Sequence, residues 1–130
     1  MLQILAHLLR TQITRQLEDK SIHNVAIKKL MDAIQLDPSA GWNNKVLAEA
    51  MCLNEDHMAK LFKKVARMSP GEYVSLVRHH HARRLLRETN LSIEAVGVSV
   101  GYQDPHYFSR VFRKHEGISP KEYRKLSRIL

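Results

Sequence analysis

Apolar positions along this chain recur at helical spacing and never hold a period-two alternation, so the expected fold class is all-α. Leu2, Leu5, Leu9, Ile13 and Leu17 fall on one helical line, with Arg10, Gln12 and Arg15 off it. That pattern describes an amphipathic helix over residues 2–17 that needs a partner surface. The polar run Glu18-Asp19-Lys20-Ser21 predicts a linker, closing a first segment of residues 1–21. From Ile22 to Leu36 a second stripe is formed by Ile27, Leu30, Met31 and Ile34. Asp37-Pro38-Ser39-Ala40-Gly41 ends it, because the residue before a proline is pushed out of the helical region. Trp42 then reads as a core plug between helices. A short helix is expected over about Asn44–Met51, capped by Asn43, with Val46, Leu47 and Ala50 inward. Cys52-Leu53-Asn54 makes a turn, and Asn54 caps a further helix with Met58, Leu61, Phe62 and Val65 inward. Asp56, Ala59, Lys60 and Lys63 then share the outward face, since positions i, i+3, i+4 and i+7 lie together on a helix.

The second half repeats the first. Phe62-Lys63-Lys64-Val65-Ala66-Arg67-Met68-Ser69-Pro70-Gly71-Glu72-Tyr73 aligns without a gap with Phe112-Arg113-Lys114-His115-Glu116-Gly117-Ile118-Ser119-Pro120-Lys121-Glu122-Tyr123. Each copy joins the basic end of one helix to a Ser-Pro-x-Glu start of the next, with serine as N-cap and proline at the first helical position. A long helix over about 70–88 follows the first copy, with Tyr73, Val74, Val77, Ala82, Leu85 and Leu86 as its apolar positions. Thr89-Asn90-Leu91-Ser92 breaks it. Ser92 caps a short helix with Ile93, Val96 and Val100 inward, Gly101-Tyr102-Gln103 turns, and Asp104-Pro105 opens a helix with Phe108, Val111 and Phe112 inward. His106, Ser109, Arg110 and Arg113 fall outward. A final helix covers about 120–128. The expected architecture is a pair of homeodomain-like helix-turn-helix units, about 43–66 and 92–115, on either side of a long connecting helix, in a domain of residues 22–130.

Charge narrows the class of partner. The net charge is +8, and residues 55–130 hold 15 of the 21 Lys and Arg but 8 of the 13 Asp and Glu. A polyanion is the expected partner of the repeat-bearing half. No apolar stretch approaches the ~18 residues that a membrane span requires. Met1 to Leu17 lacks a basic leader and a small-residue cleavage site, so no signal peptide is read there. The single cysteine, Cys52, cannot form an internal disulfide, which predicts a reducing, cytoplasmic setting. Successive residues of a helix point ~100° apart, so His79-His80-His81 cannot converge on one ion. No metal, cofactor or enzyme chemistry is expected, because no nucleophile–base constellation or phosphate-cradling glycine loop is present.

The outward faces carry chemistry suited to double-stranded DNA. A major groove admits an α-helix and presents a distinguishable donor and acceptor pattern, which a guanidinium reads at guanine O6 and N7. Arg110 is the foremost base-reading candidate, joined by His106, Ser109, Gln103, Tyr107, Lys60, Asp56 and Ala59. An acid at a helix N-terminus, such as Asp56, is explained equally by the helix dipole. Lys63, Lys64, Arg113 and Lys114 stand toward the far helix ends, where phosphates are the natural target, and Asn43 and Asn54 complete the phosphate set.

These residues resemble the DNA-binding domain of AraC/XylS-type bacterial transcription regulators. The second unit carries the signature in Ile93-x-x-Val96, Gly101-Tyr102, Tyr107-Phe108-Ser109-Arg110-x-Phe112-Arg113-Lys114 and Gly117-x-Ser119-Pro120-x-x-Tyr123-Arg124. The first matches in Leu47-Ala48, Met58, Leu61-Phe62-Lys63 and Ser69-Pro70-x-x-Tyr73, followed by Arg78 and by Ala82 through Leu85-Leu86. The resemblance covers about residues 24–125. It implies seven helices, and one protomer placing two recognition helices in successive major-groove segments about one turn of DNA apart. It further implies a nucleoid-associated activator that touches RNA polymerase beside a promoter, often under a separate ligand-binding domain.

Three residues depart from the family pattern. Cys52 stands for the turn glycine and Arg67 for the glycine before Ser-Pro, where a left-handed conformation costs a non-glycine residue roughly 1 kcal/mol. Gly97 replaces the usual alanine and weakens its helix by up to ~1 kcal/mol. Asp56 and Ala59 are poor base readers, so the second unit is expected to carry more of the specificity. Residues 1–21 are too short for a ligand-binding domain, so the chain reads either as a small stand-alone regulator or, in preference, as the C-terminal part of a longer one. The helix over residues 2–17 reads as packed on the rest of the domain, as the interface of a homodimer or as the stub of an upstream domain. The competing class is a protein-interaction module that engages another transcription factor or RNA polymerase through Leu2, Leu5, Leu9 and Ile13.

Overall fold

Helix starts are set by side chains that accept the first free backbone N–H groups. Asn43 Oδ1 accepts from Val46 N at 2.9 Å, Asn54 Oδ1 from His57 N at 2.8 Å, Ser69 Oγ from Glu72 N at 3.2 Å, Ser92 Oγ from Ala95 N at 3.0 Å, Asp104 Oδ1 from His106 N at 2.9 Å and Ser119 Oγ from Glu122 N at 3.1 Å. Those caps open six of the seven helices of the computed structural model, which describes residues 2–129 and, of Asp19, the backbone alone. Met1 and Leu130, the outer ends of the two expected segments, lie outside the described residues. The helices are α1 (Leu2–Leu36), α2 (Asn44–Met51), α3 (Glu55–Ala66), α4 (Pro70–Glu88), α5 (Ile93–Ser99), α6 (Pro105–Glu116) and α7 (Pro120–Ile129). Among the described residues there is no strand, and no helix is long and apolar enough to cross a membrane.

The linker expected at residues 18–21 is not a break: α1 runs unbroken for 35 residues. It contains no glycine or proline, and a polar residue inside a helix that is already propagating costs only tenths of a kcal/mol with no new nucleation. Only the second half of α1 is anchored. Ile27 and Ile34 are fully buried, whereas Leu2, Leu5, Leu9, Ile13 and Leu17 are exposed by half or more. Ile4 and Leu8, off the line expected from the sequence, widen that exposed apolar surface.

Two cores share α4. Ile27, Ile34, Leu47, Ala48, Met58 and Phe62 pack with Tyr73, Val74 and Val77 from its first half. Val96, Val100, Tyr102, Phe108, Phe112 and Tyr123 pack with Ala82 and Leu86 from its second half. The repeat is therefore structural. α1 supports the first helix-turn-helix, α2–α3, as α4 supports the second, α5–α6. The matching tyrosines show it. Tyr73 Oη accepts from Gln35 Nε2 of α1 at 3.2 Å, and Tyr123 Oη accepts from Arg83 Nε and Arg87 Nη1 of α4 at 3.2 and 3.0 Å.

Three expectations about inward faces are corrected. In α2 the buried pair is Leu47 and Ala48, with Met51 half-buried, while Val46 and Ala50 lie exposed. Ala59 of α3 is half-buried against the first core and does not sit on the open face. Trp42 is half-buried at the margin of the first core, its Nε1 donating to Asp37 O at 2.7 Å, and it does not plug the interior.

Candidate nucleic-acid interface

Cys52 and Arg67 take the left-handed backbone conformation despite carrying a Cβ. Cys52 has φ 55° and Arg67 has φ 65°, both left-handed, at the places where the second unit has Gly101 (φ 110°) and Gly117 (φ 87°). The helix ends close alike in both units. Leu53 N donates to Ala48 O at 3.0 Å after α2, and Tyr102 N donates to Gly97 O at 2.8 Å after α5, each a six-residue closure that satisfies the last carbonyls. At Cys52 the left-handed conformation costs a residue with a Cβ ~1–2 kcal/mol, and packing of the following Leu53 against the first core opposes that cost. The turns then differ in length: Leu53 alone leads from Cys52 to the cap Asn54, whereas Tyr102 and Gln103 lead from Gly101 to the cap Asp104.

The second helix of each unit is two-faced. α3 buries Met58 and Phe62, and α6 buries Phe108 and Phe112. The last turn of α3 exposes Lys63 and Lys64, and that of α6 exposes Arg113, Lys114 and His115. Cations there also oppose the partial negative charge of a helix C-terminus. The first turns differ. α3 begins with Glu55 and Asp56, and α6 has no acid in its first turn.

That difference reaches the base-reading candidates. Lys60 Nζ lies 3.1 Å from Asp56 Oδ2, both side chains largely exposed, so the strongest donor on α3 is paired on its own helix. An exposed pair of this kind is worth only ~0.3–0.5 kcal/mol and opens readily. On α6, Arg110 and His106 are exposed and Ser109 is half-buried. The Arg110 guanidinium stands 5.8 Å from the centre of the Tyr107 ring, which in turn meets Tyr102 edge-on at 5.8 Å. Stacking on an aromatic face limits the freedom that a long side chain loses on binding. Gln103, exposed, precedes the cap of α6. Asn43 and Asn54 use their carbonyl oxygens as caps, which leaves only their amide N–H groups to donate outward.

The histidine run disperses. His79 is buried with Nε2 2.7 Å from Glu116 Oε2, its ring 4.8 Å from Phe112, while His80 is exposed and His81 half-buried. Burial holds the His79 imidazole below its ordinary pKa, opposed by the hydrogen bond and charge of Glu116; burial, with Arg84 beside it, lowers His81. Arg83 lies 3.5 Å from the same Glu116 oxygen and 5.5 Å from the Tyr123 ring centre. Its pKa is raised, chiefly by the hydrogen bond to Tyr123. His115 Nε2 is bonded to Ser75 Oγ at 2.9 Å. These residues tie α4 to α6, a role that a search for metal spacing along the chain does not reveal.

Sequence and structure comparisons give one family. The model described as "Helix-turn-helix domain" matches residues 47–126. The lactose operon transcription activator of Staphylococcus xylosus is 37% identical over 103 residues, which is 79% of this chain and 37% of that protein. The C-terminal domain of AraT, a response regulator from Geobacillus stearothermophilus, superposes with a TM-score of 0.74 at 26% identity, covering 78% of this chain and 84% of that one. The DNA-binding domain of AdpA, solved with a target DNA, shares the fold at a TM-score of 0.76 and 20% identity, over 79% of this chain and 93% of that one. The chain spans between 29% and 42% of the length of the first curated relatives it matches.

Proposed function

We propose a DNA-reading role from one premise: the chain belongs to the AraC/XylS-type helix-turn-helix transcriptional regulators. It binds double-stranded DNA sequence-specifically, with α6 reading bases and α3 chiefly holding the backbone. One observation carries this reading. Two helices with buried aromatic or thioether undersides, one repeat apart, end in exposed cations at matching places, Lys63 and Lys64 against Arg113 and Lys114, yet the first turn of α3 holds Glu55 and Asp56 while that of α6 holds no acid, the one acid at its start being the capping Asp104. Arg110, His106, Ser109, Gln103 and Tyr107 form the base-reading group; Lys60, Asp56 and Ala59 contribute less, because Asp56 offsets the charge of Lys60 beside it and Ala59 has no side-chain donor, whereas Ser109, equally half-buried at the matching place, has a hydroxyl. Lys63, Lys64, Arg113, Lys114, Asn43 and Asn54 meet phosphates. The two helices enter successive major-groove segments about one turn of DNA apart.

An activating role beside a promoter, through contact with RNA polymerase, extends the same reading and is supported by the relative named as an operon activator. Membership of a DNA-binding family speaks against a module that works without DNA, and the exposed apolar residues of α1, Leu2 to Leu17, offer a surface for a homodimer through that helix.

Affinity for duplex DNA measured against salt tests the core of this proposal. With six or so phosphate contacts the log–log slope has a magnitude of ~5 or more. A flat salt response, or equal affinity for every duplex sequence, overturns it.

A further inference from the structure

We propose that Arg78 is the positioning residue that holds the two reading helices at one separation, so that the protein selects operators by the spacing of their two subsites. The inference rests on the two-helix reading above and assigns the part that enforces it.

Arg78 sits where α4 passes from one core to the other, between Val77 of the first and Ala82 of the second. Its guanidinium touches both units. Toward the first, Nε donates to Pro38 O at 2.8 Å and Nη2 donates to Ala40 O at 3.0 Å. Those carbonyls belong to the loop that ends at Asn43, the cap of α2. The loop is itself closed on Trp42, whose backbone N donates to Ala40 O at 2.7 Å and whose Nε1 donates to Asp37 O at 2.7 Å. Toward the second unit, Arg78 Cζ lies 5.2 Å from the centre of the Tyr102 ring. Gly101 brings the turn so close that a Cβ there would stand 2.8 Å from the same guanidinium carbon. Tyr102 passes the contact to α6, with ring centres 5.8 Å from Tyr107 and 5.7 Å from Phe108.

Around the guanidinium the units are parted by a cleft of about 340 Å³, with Trp42 from the first unit and Gln103 and Tyr107 from the second on its walls. Each core fixes its own helix-turn-helix, and α4 joins them. A fork that grips one unit and a planar face that stacks on the other oppose rotation between them. Arginine is required for both acts, because a lysine ammonium has neither the rigid fork nor the plane.

The test uses the full chain and the two subsites selected by it from random duplexes. Duplexes carry both subsites at the selected separation, at one base pair more or less, or one subsite alone. The wild-type chain loses affinity by about tenfold on a one-base-pair shift. Arg78→Ala is expected to bind single subsites within about twofold of wild type and the selected pair about tenfold more weakly, with the spacing preference flattened. Arg78→Lys keeps the stem and the charge, carries the test independently of any folding loss in the alanine variant, and is expected to match alanine.

Restoration by lysine would make Arg78 a backbone-neutralising charge, and equal losses on single and paired subsites would make it a folding or contact residue. Either overturns the proposal, as does a sharp spacing preference that survives both substitutions. A wild-type chain that binds paired and single subsites alike removes the two-helix reading and this proposal with it.

Discussion

Gly97 is a glycine because Phe108 occupies the space of a side chain. A Cβ at this buried position of α5 would lie 2.9 Å from Cγ and Cδ2 of the Phe108 ring, which is itself almost fully buried. One repeat earlier the same two places hold Ala48 and Met58, a larger residue facing a slimmer one. Helix propensity alone favours alanine at position 97 by up to ~1 kcal/mol. Overpacking a closed core costs about 1–3 kcal/mol and decides the sign. Gly97→Ala is therefore expected to lower the urea midpoint, and a raised midpoint would contradict this account. Arg67→Gly is expected to do the opposite. At φ 65° the residue bears a left-handed penalty of ~1–2 kcal/mol, from which the looser unfolded chain takes back part, leaving a gain of about 0.5–1 kcal/mol. The two departures that look alike in sequence, a glycine gained and a glycine lost, thus have different causes. One answers to a neighbour in space, the other to a backbone angle.

At the scale of elements, the starts of α2 to α7 were legible because caps are local: Asn43, Asn54, Ser69, Ser92, Asp104 and Ser119 each act within three residues of themselves. The pair of helix-turn-helix units followed from those starts and the repeat. What was not legible depended on contacts remote in sequence or on a short element's phase. The eight residues of α2 give two turns, too few for periodicity to choose between Val46 and Ala48 as the buried position. Residues 18–21 read as a linker because a solvated helical turn and a linker share a composition. The two ties of Arg78 to the α1–α2 loop span 38 and 40 residues, and that of His79 to Glu116 spans 37.

The last tie has a pH signature. His79 is held below its usual pKa by burial, so between the folded value and about 6.5 the unfolded chain binds the extra proton. Stability is then complete above ~6.5 and falls as pH drops through that window. Urea midpoints from pH 8 to 5 are expected to decline, and His79→Gln, which can still donate to Glu116, should make the decline shallower. His81 leaves a residual slope of the same sign. An unchanged slope in His79→Gln would move the effect elsewhere. Removal of residues 1–20 is the matching test for α1. It leaves Ile27 and Ile34 in the first core, so folding and DNA binding are expected to persist while self-association is lost. Loss of binding to a single subsite would show that the exposed half does more than join two copies.

Across the whole molecule, the proposed reading makes a duplicated unit, equal in fold, unequal in its use of DNA. The caps and the cores of the two units correspond. The difference that this reading rests on lies on the faces of α3 and α6, where Asp56 stands beside Lys60 and Arg110 leans on Tyr107. Selection of bound sequences from random duplex DNA tests it most directly, carried out with the wild-type chain and with Arg110→Ala and Lys63→Ala. The wild-type chain is expected to return two segments about one helical turn apart, one strongly determined and one weakly. Arg110→Ala should erase a guanine preference within the strong segment, and Lys63→Ala should leave both segments unchanged while weakening all binding alike. Two equally determined segments, or a strong segment that keeps its guanine in Arg110→Ala, would contradict the account.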